Sequence, residues 1–337
     1  WDPKVLDNEL DPSQYDDILQ DPLVLERRER LDSRVDAFGY LDTNAERYYA
    51  RANLKQIFPD ITKMKPFFGW ISNEKIQQML EKTTQHYRGT IRYPFRKHFK
   101  SRFPAANVPR LNEWQATDTF FSDTPAGNDG IPGHAGATML QVFLGLISDL
   151  VGAYPMGSET QVPQAFEDHI RRFGAPIGLM SDRAKSEMYG KTLDILRLYK
   201  IKDRQSEPYY QHQNPAERKI QDIKRTINNI MDRVGCPKKW WLLCAIYVVN
   251  LFNHVPNSNG EIPLTVVTGQ LQDISKFMHF HFWQEVFVES HKKNTKEEHA
   301  YWCYPADNVG DELTYMVLLS STNQLVPRSN VRPATDP

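Results

Sequence analysis

Between Glu113 and Tyr209 the apolar residues change period in a set order, and that order restricts the fold more than any other feature of the chain. EWQATDTFFSD, from Glu113, has the composition of a strand. ATMLQVFLGLISDLVGAYPM, from Ala137, gives two more strands, broken near ISD. The Gly-rich TPAGNDGIPGHAG between them reads as a turn or long hairpin loop. ETQVPQAFEDHIRRFG then takes helical spacing, with Val162, Phe166, Ile170 and Phe173 on one stripe and Gly174 at its end. PIGLMSD is a short apolar strand that ends at Asp182, SEMYGKTLDILRLYKI is a second helix, and KDRQSEPY forms a last short strand. An antiparallel meander followed by helix–strand alternation predicts a mixed α/β sheet with flanking helices.

Further on, Ile220, Ile223, Ile227, Ile230 and Val234 recur at helical spacing from Pro215, and Gly235 ends the run. KKWWLLCAIYVVNLFNH is apolar on every side. It is too short to cross a membrane and reads as a buried helix, with Trp240 and Trp241 in the core. FWQEVFVESH, YWCYPADN, LTYMVLLSS and QLVPRSNVR are successive short strands of a small β-barrel-like domain. Before the sheet, residues 46–88 look helical, including NEKIQQMLEKTTQHY after Ser72. RYPFRKHFKSRF (92–103) is basic and aromatic, and FPAANVPRLN is an extended connection. The expected division is a 1–45 acidic linker or tail, a 46–110 helical region with basic connector, a 111–275 core and a 276–337 β-rich domain.

The chain has 337 residues, 40% of them hydrophobic, and no run of eighteen apolar residues, so no membrane partner is expected. The net charge of −1 hides an acidic first segment and a basic 92–103, and local basic patches govern nucleic-acid binding more than the total does. Cys236, Cys244 and Cys303 are far apart, with neither zinc spacing nor a disulfide framework, which suits a reducing compartment. No zinc is expected. The chain starts with Trp and shows no signal peptide, and it reads as a piece of a longer polypeptide.

Three acidic residues stand where a site crevice forms in an open α/β sheet: Asp118 within the first strand, Asp182 at the end of a later one, and Glu217 in the first turn of the long helix. Clustered carboxylates repel unless a cation neutralises them, and hard Mg²⁺ or Mn²⁺ suits all-oxygen ligands. Two such ions about 3.5–4 Å apart can clamp the attacking and leaving oxygens of a phosphodiester. The plainer reading stays open. Asp182 can cap the next helix, and Glu217 can be the capping-box partner of Asn214, with Pro215 at the first helical position. No Ser–His–Asp set, Walker loop or dinucleotide Gly motif competes.

The stretch from about Arg96 to Arg332 resembles the integrase of copia-type long-terminal-repeat retrotransposons, most closely a diatom and algal branch. The likeness is carried in order by RKHFKSRFPAANVPRLNE, ATDTFFSDTPA, GLMSDRAKSE, QSEPYYQHQNPAERKIQDIK, WWLLCAIYVVNLFNH, PLTVVTGQLQDIS and QLVPRSNVR. The resemblance implies a ribonuclease H-like core with a D,D,E metal site. It makes Asp118, Asp182 and Glu217 the catalytic and metal-binding triad, and thirty-five positions separate the last two. It implies two Mg²⁺ ions, element-end and target DNA as partners, a homo-oligomer on DNA, and a nuclear site of action after a cytoplasmic particle. By the same resemblance the loop holding Gln213 contacts the DNA end.

Asp123 is an alternative first ligand under a shifted alignment. An odd spacing on a strand puts it and Asp118 on opposite faces, and Asp118 leaves the Gly-rich insertion in a hairpin, where insertions are tolerated. Glu217, Gln221, Lys224 and Asn228 share one polar stripe, so Lys224 can reach a phosphate beside the site or stand solvated. Arg96, Lys97, Lys100 and Arg102 can track a nucleic-acid backbone, with their neighbouring aromatics as anchors. Arg328 and Arg332 fit DNA contact or a solvated strand edge equally. The His–His–Cys–Cys zinc module of many integrases is not matched, since His86 and His98 have no cysteines nearby.

Overall fold

The computed structural model describes residues 61–85, 102, 107–181, 186–205, 215–290, 297–307, 309–310 and 313–334. All belong to one unit, Pro59–Pro337. The acidic 1–45 segment, the helix expected over 46–60, and most of the basic connector lie outside the described residues.

A five-stranded mixed sheet forms the centre. Its strands are β1 (Trp114–Phe121), β2 (Met139–Gly145), β3 (Val151–Met156), β4 (Gly178–Ser181) and β5 (Lys202–Gln205), in spatial order β3-β2-β1-β4-β5. β1, β2 and β3 are an antiparallel meander, whereas β4 and β5 run parallel to β1. The sheet, its order along the chain and the breaks between strands follow the sequence pattern. The β2–β3 turn is fastened by Glu113, a buried carboxylate that accepts from the backbone of Ile147 and Ser148 and, at 2.6 Å, from the Ser148 hydroxyl. Gly178 allows the parallel approach of β4 to β1, since a Cβ there would collide with the Trp114 indole.

Four helices cover the sheet: α3 (Val162–Phe173), α4 (Ser186–Leu198), α5 (Pro215–Val234) and α6 (Trp241–Phe252). They follow two shorter helices, α1 (Ile61–Met64) and α2 (Asn73–Lys82). Gly174 ends α3 at φ 115, a backbone region open to glycine. One face of the sheet packs Phe143 and Leu179 against Phe166 and Ile170 of α3 and Ile195 of α4. The other face meets α5, whose Ile220, Ile223, Ile227 and Ile230 are buried, and α6, which is apolar all round and buried as expected. Each large apolar side chain so buried stabilises by roughly 1.5–3 kcal/mol. Asn253, just after α6, accepts from and donates to the backbone of Val151, both at 2.8 Å, and so blunts the sheet edge at β3.

Helix α2 stops at Lys82, short of the expected extent. Ser72 caps its start, and Thr84 leaves the helix to bond the backbone of Gln272 and Ile274. The segment is not free-standing, because Tyr247 of α6 donates its hydroxyl to the Phe67 carbonyl at 2.7 Å.

After α7 (Pro263–Thr268) a second sheet contains β6 (Glu285–Glu289), β7 (Glu297–Pro305), β8 (Tyr315–Leu319), β9 (Leu325–Arg328) and β10 (Val331–Pro333), ordered β10-β6-β7-β8-β9. QLVPRSNVR thus forms two strands where one was expected. The step from β9 to β10 joins opposite edges through two residues, which span at most about 11 Å. A flat sheet would hold those edges about 19 Å apart. The sheet is therefore strongly curled, which accounts for its barrel-like pattern. Tyr247 joins it to the core, stacked on Phe282 and edge-on to Trp302.

Two fully buried histidines set an acid limit on this packing. His169 donates Nε2–H to Gln115 Oε1 at 2.9 Å under the sheet, and His254 bonds the Asn250 carbonyl through Nδ1. Burial pushes each down to about 3, reinforced by Arg172 near His169 and by Lys276 near His254. Between about pH 6.5 and 3 the unfolded chain binds the extra protons and the folded chain does not, so stability is full above that window and falls as pH drops through it. Moving from pH 7 to 5 should cost about 2 kcal/mol for each histidine. Urea titrations at the two pH values check this, and an unchanged midpoint would refute it.

Candidate active site

β1 carries different chemistry on its two faces. Its register with β2 is unbroken from Gln115 to Phe121, so residues alternate strictly. Gln115 reaches His169 of α3, which puts the odd positions on the α3 side. Phe120 stacks on Trp241 of α6 at 5.4 Å, and Lys224 of α5 holds its ammonium 4.9 Å from the Phe120 ring centre. Even positions therefore face α5 and α6, and Asp118, two residues before Phe120, shares that face. Asp118 is half-buried and accepts from the Thr119 backbone N–H at 2.8 Å.

Glu217 lies in the first turn of α5, half-buried, seven residues before Lys224. Seven residues are almost two full turns, so the two side chains leave the helix on the same side. The Phe120–Lys224 contact thus brings the side of α5 that carries Glu217 against the face of β1 that carries Asp118, with Glu217 about 10 Å along the helix from Lys224. The expected stripe of Glu217, Gln221, Lys224 and Asn228 lies outside the buried isoleucine face. β4 runs parallel to β1 with Ser181 level with Thr117, and in the sequence each of these is followed by an aspartate, Asp182 and Asp118. Asp182 itself lies outside the described residues, as do Gln213, Asn214, Arg96, Lys97 and Lys100. Arg102 is exposed.

Asp123 requires a correction. β1 ends at Phe121, and Asp123 stands in the bend beyond it, exposed. Strand alternation therefore does not decide its direction. The Gly-rich loop lies in the β1–β2 hairpin as expected, and its ends are bonded to distant backbone. Gly127 donates to the Lys239 carbonyl, and the Asp129 carbonyl accepts from Leu325 of β9, both at 2.8 Å. Within the loop the buried Asp129 carboxylate accepts from His134 Nδ1 at 2.7 Å and from the Ile131 backbone at 3.0 Å. The loop is a strut from the end of β1 to the second sheet. Its sequence signal was the Asp and His five apart among glycines, residues that do more than permit a turn.

Among the described residues no three His, Cys, Asp or Glu side chains gather as a metal site. Asp118 and Glu217 carry carboxylate oxygens, the donor type that Mg²⁺ takes. The cysteines are buried and free. Burial pushes the Cys236 thiol up to about 12, and Cys244 and Cys303 well above the ordinary range. Arg332 is tied to Glu297 at 2.6 Å and lies over Phe287, while Arg328 bonds the Glu289 and Pro327 carbonyls. Both are built into the sheet edge. No described helix is long and apolar enough to cross a membrane.

No protein-family model matches the chain, and no curated protein does. Distant similarity is found among solved structures. A chain of the simian T-cell lymphotropic virus intasome complexed with the PP2A regulatory subunit B56 gamma aligns with 67% of this chain and 83% of its own, at 13% identity and a TM-score of 0.35. The HTLV-2 integrase catalytic core domain with magnesium aligns in its dimeric form with 45% of this chain and 94% of its own, at 17% identity and a TM-score of 0.36. In its trimeric form the shares are 46% and 96%, with the same identity and TM-score.

The strut yields a stability prediction. Asp129→Ala removes the acceptor of buried donors and should cost about 1–3 kcal/mol. Amide exchange at Leu325 should accelerate. An unchanged denaturation midpoint together with unchanged Leu325 exchange would show that the loop merely rests on the sheet.

Proposed function

We propose that the chain is an integrase-type polynucleotidyl transferase of a copia-type retrotransposon, trimming the 3′ ends of element DNA and joining them to target DNA. The observation that supports the reading is the Phe120–Lys224 contact, which sets the Glu217 side of α5 against the Asp118 face of β1, next to the strand that precedes Asp182 in the sequence. Asp118, Asp182 and Glu217 would hold two Mg²⁺ ions, which when bound supply positive charge to the attacked phosphate and to the leaving oxygen. Both reactions are in-line attacks on a phosphodiester. Water is the nucleophile in the first and a 3′-hydroxyl in the second.

The protein's own groups place the DNA. Lys224 takes a phosphate beside the carboxylates, the Gln213 loop meets the DNA end, and Arg96, Lys97, Lys100 and Arg102 follow the backbone. Both element ends must be joined to one target, which calls for a homo-oligomer on DNA, acting in the nucleus.

Strand transfer of a labelled element-end duplex in Mg²⁺ tests the proposal. Glu217→Gln keeps size and capping capacity but offers an amide, a poor ligand for a hard cation. Joining should fall at least about a hundredfold, more than loss of an outer-shell partner costs. Stability should stay within about 0.5 kcal/mol, as for other surface changes. Asp118→Asn should behave like Glu217→Gln, and Asp123→Asn like wild type. Near-normal joining by Glu217→Gln would make the residue a helix cap and sink the proposal. Metal-free DNA binding with no joining by the wild type would leave a binding protein without chemistry.

A further inference from the structure

We infer that Phe120 is a positioning residue for Lys224, holding its ammonium beside Asp118 as a preformed seat for one DNA phosphate. The inference rests on the integrase-type reading above. Lys224 is exposed, and an exposed lysine ordinarily samples many rotamers. Here its Nζ sits 4.9 Å from the Phe120 ring centre, within range of the attraction between a cation and an aromatic face. Phe120 is itself 5% exposed and stacked on the equally buried Trp241 with 14° between the rings. The place of a surface charge is thus set by two core aromatics.

The choice of partner matters. Residues three and four positions either side of Lys224 are Ile220, Gln221, Ile227 and Asn228, with no acid among them. Neighbouring Arg225, by contrast, pairs with Asp222 at 3.8 Å. A carboxylate would restrain Lys224 but also neutralise it and take its hydrogen-bond donors. An aromatic ring restrains it while leaving the charge and the three N–H donors for an incoming phosphate. Ordering the side chain before binding removes that cost from the binding step. Phe120 is two residues from Asp118 on the same face, so the held charge stands at the reacting end of the proposed site.

The test is a double-mutant cycle with a short fluorescein-labelled duplex in metal-free buffer. Phe120→Leu should weaken binding about fivefold, the worth of an exposed cation–ring contact. Phe120→Trp should restore it. Lys224→Met should weaken binding further and lower the salt slope by about 0.9. In the Lys224→Met background Phe120→Leu should have no further effect. Equal effects of Phe120→Leu in both backgrounds, with wild-type binding intact, would make it a core defect and overturn the inference alone. Failure of the wild type to bind duplex at all would overturn the functional reading beneath it. A readout without DNA is the upfield ring-current shift of the Lys224 ε-methylene, expected in the wild type and lost in Phe120→Leu. Its absence from the wild type would also overturn the inference.

Discussion

The alternation of β1 is the constraint on which the rest of the structure depends. The strand lies between β2 and β4, with helices on both faces, so a one-residue slip would exchange its two sets of side chains. Gln115 and Thr117 would then meet α5 and α6, and Ala116, Asp118 and Phe120 would meet α3. Thr117 donates its hydroxyl to the Val142 carbonyl, and Gln141 donates to the Thr117 hydroxyl, so the α3 side holds a polar network that only one register satisfies. Packing on one face therefore fixes which way a carboxylate points on the other.

Most of the core could be read from the sequence because its signals are local. The strand-like composition of WQATDTFF, the isoleucines at helical spacing after Pro215 and the glycines after Phe173 and Val234 each define an element without reference to any other. What could not be read is long-range. Thr84 extends the helical pattern of its own segment, yet it pairs with Gln272 and Ile274 nearly two hundred positions away, and that competition ends the helix. The Gly-rich loop has the composition of a solvated hairpin. Only the distant Leu325 and Lys239 give its backbone a reason to be ordered. In the site, Asp118 and Glu217 were visible as carboxylates at a strand and a helix start. Phe120 was hidden among β-strand aromatics, because its meaning comes from the lysine that the helix brings over it.

The second sheet is joined to the first domain by more than a connecting segment. Tyr247 of α6 lies against Phe277, Phe282 and Trp302, and its hydroxyl satisfies the Phe67 carbonyl on the far side. One buried tyrosine thus bonds or packs against the N-terminal helical segment, the core helix and the curled sheet together. The Asp129 strut adds a second tie from the end of β1. Both ties start from elements that also build the candidate site: α6 supports Phe120 through Trp241, and the strut continues the strand that bears Asp118.

The position of Glu217 joins two demands that looked like rivals. A helix start gathers unpaired N–H groups and a partial positive charge, which favours a carboxylate in its ionised form. A hard cation requires the same ionised form. On the proposed reading, capping and metal binding would therefore ask for the same residue in the same charge state. The difficulty on that reading would be repulsion among several ionised carboxylates before any cation arrives. The Lys224 ammonium, restrained over Phe120, would on the same reading offset part of it near Asp118. On the proposed reading that lysine would have two successive duties. In the free protein it would temper the nearby carboxylates, and on binding it would meet a DNA phosphate from the same seat. A ring can support both duties, because it restrains the lysine without consuming its charge.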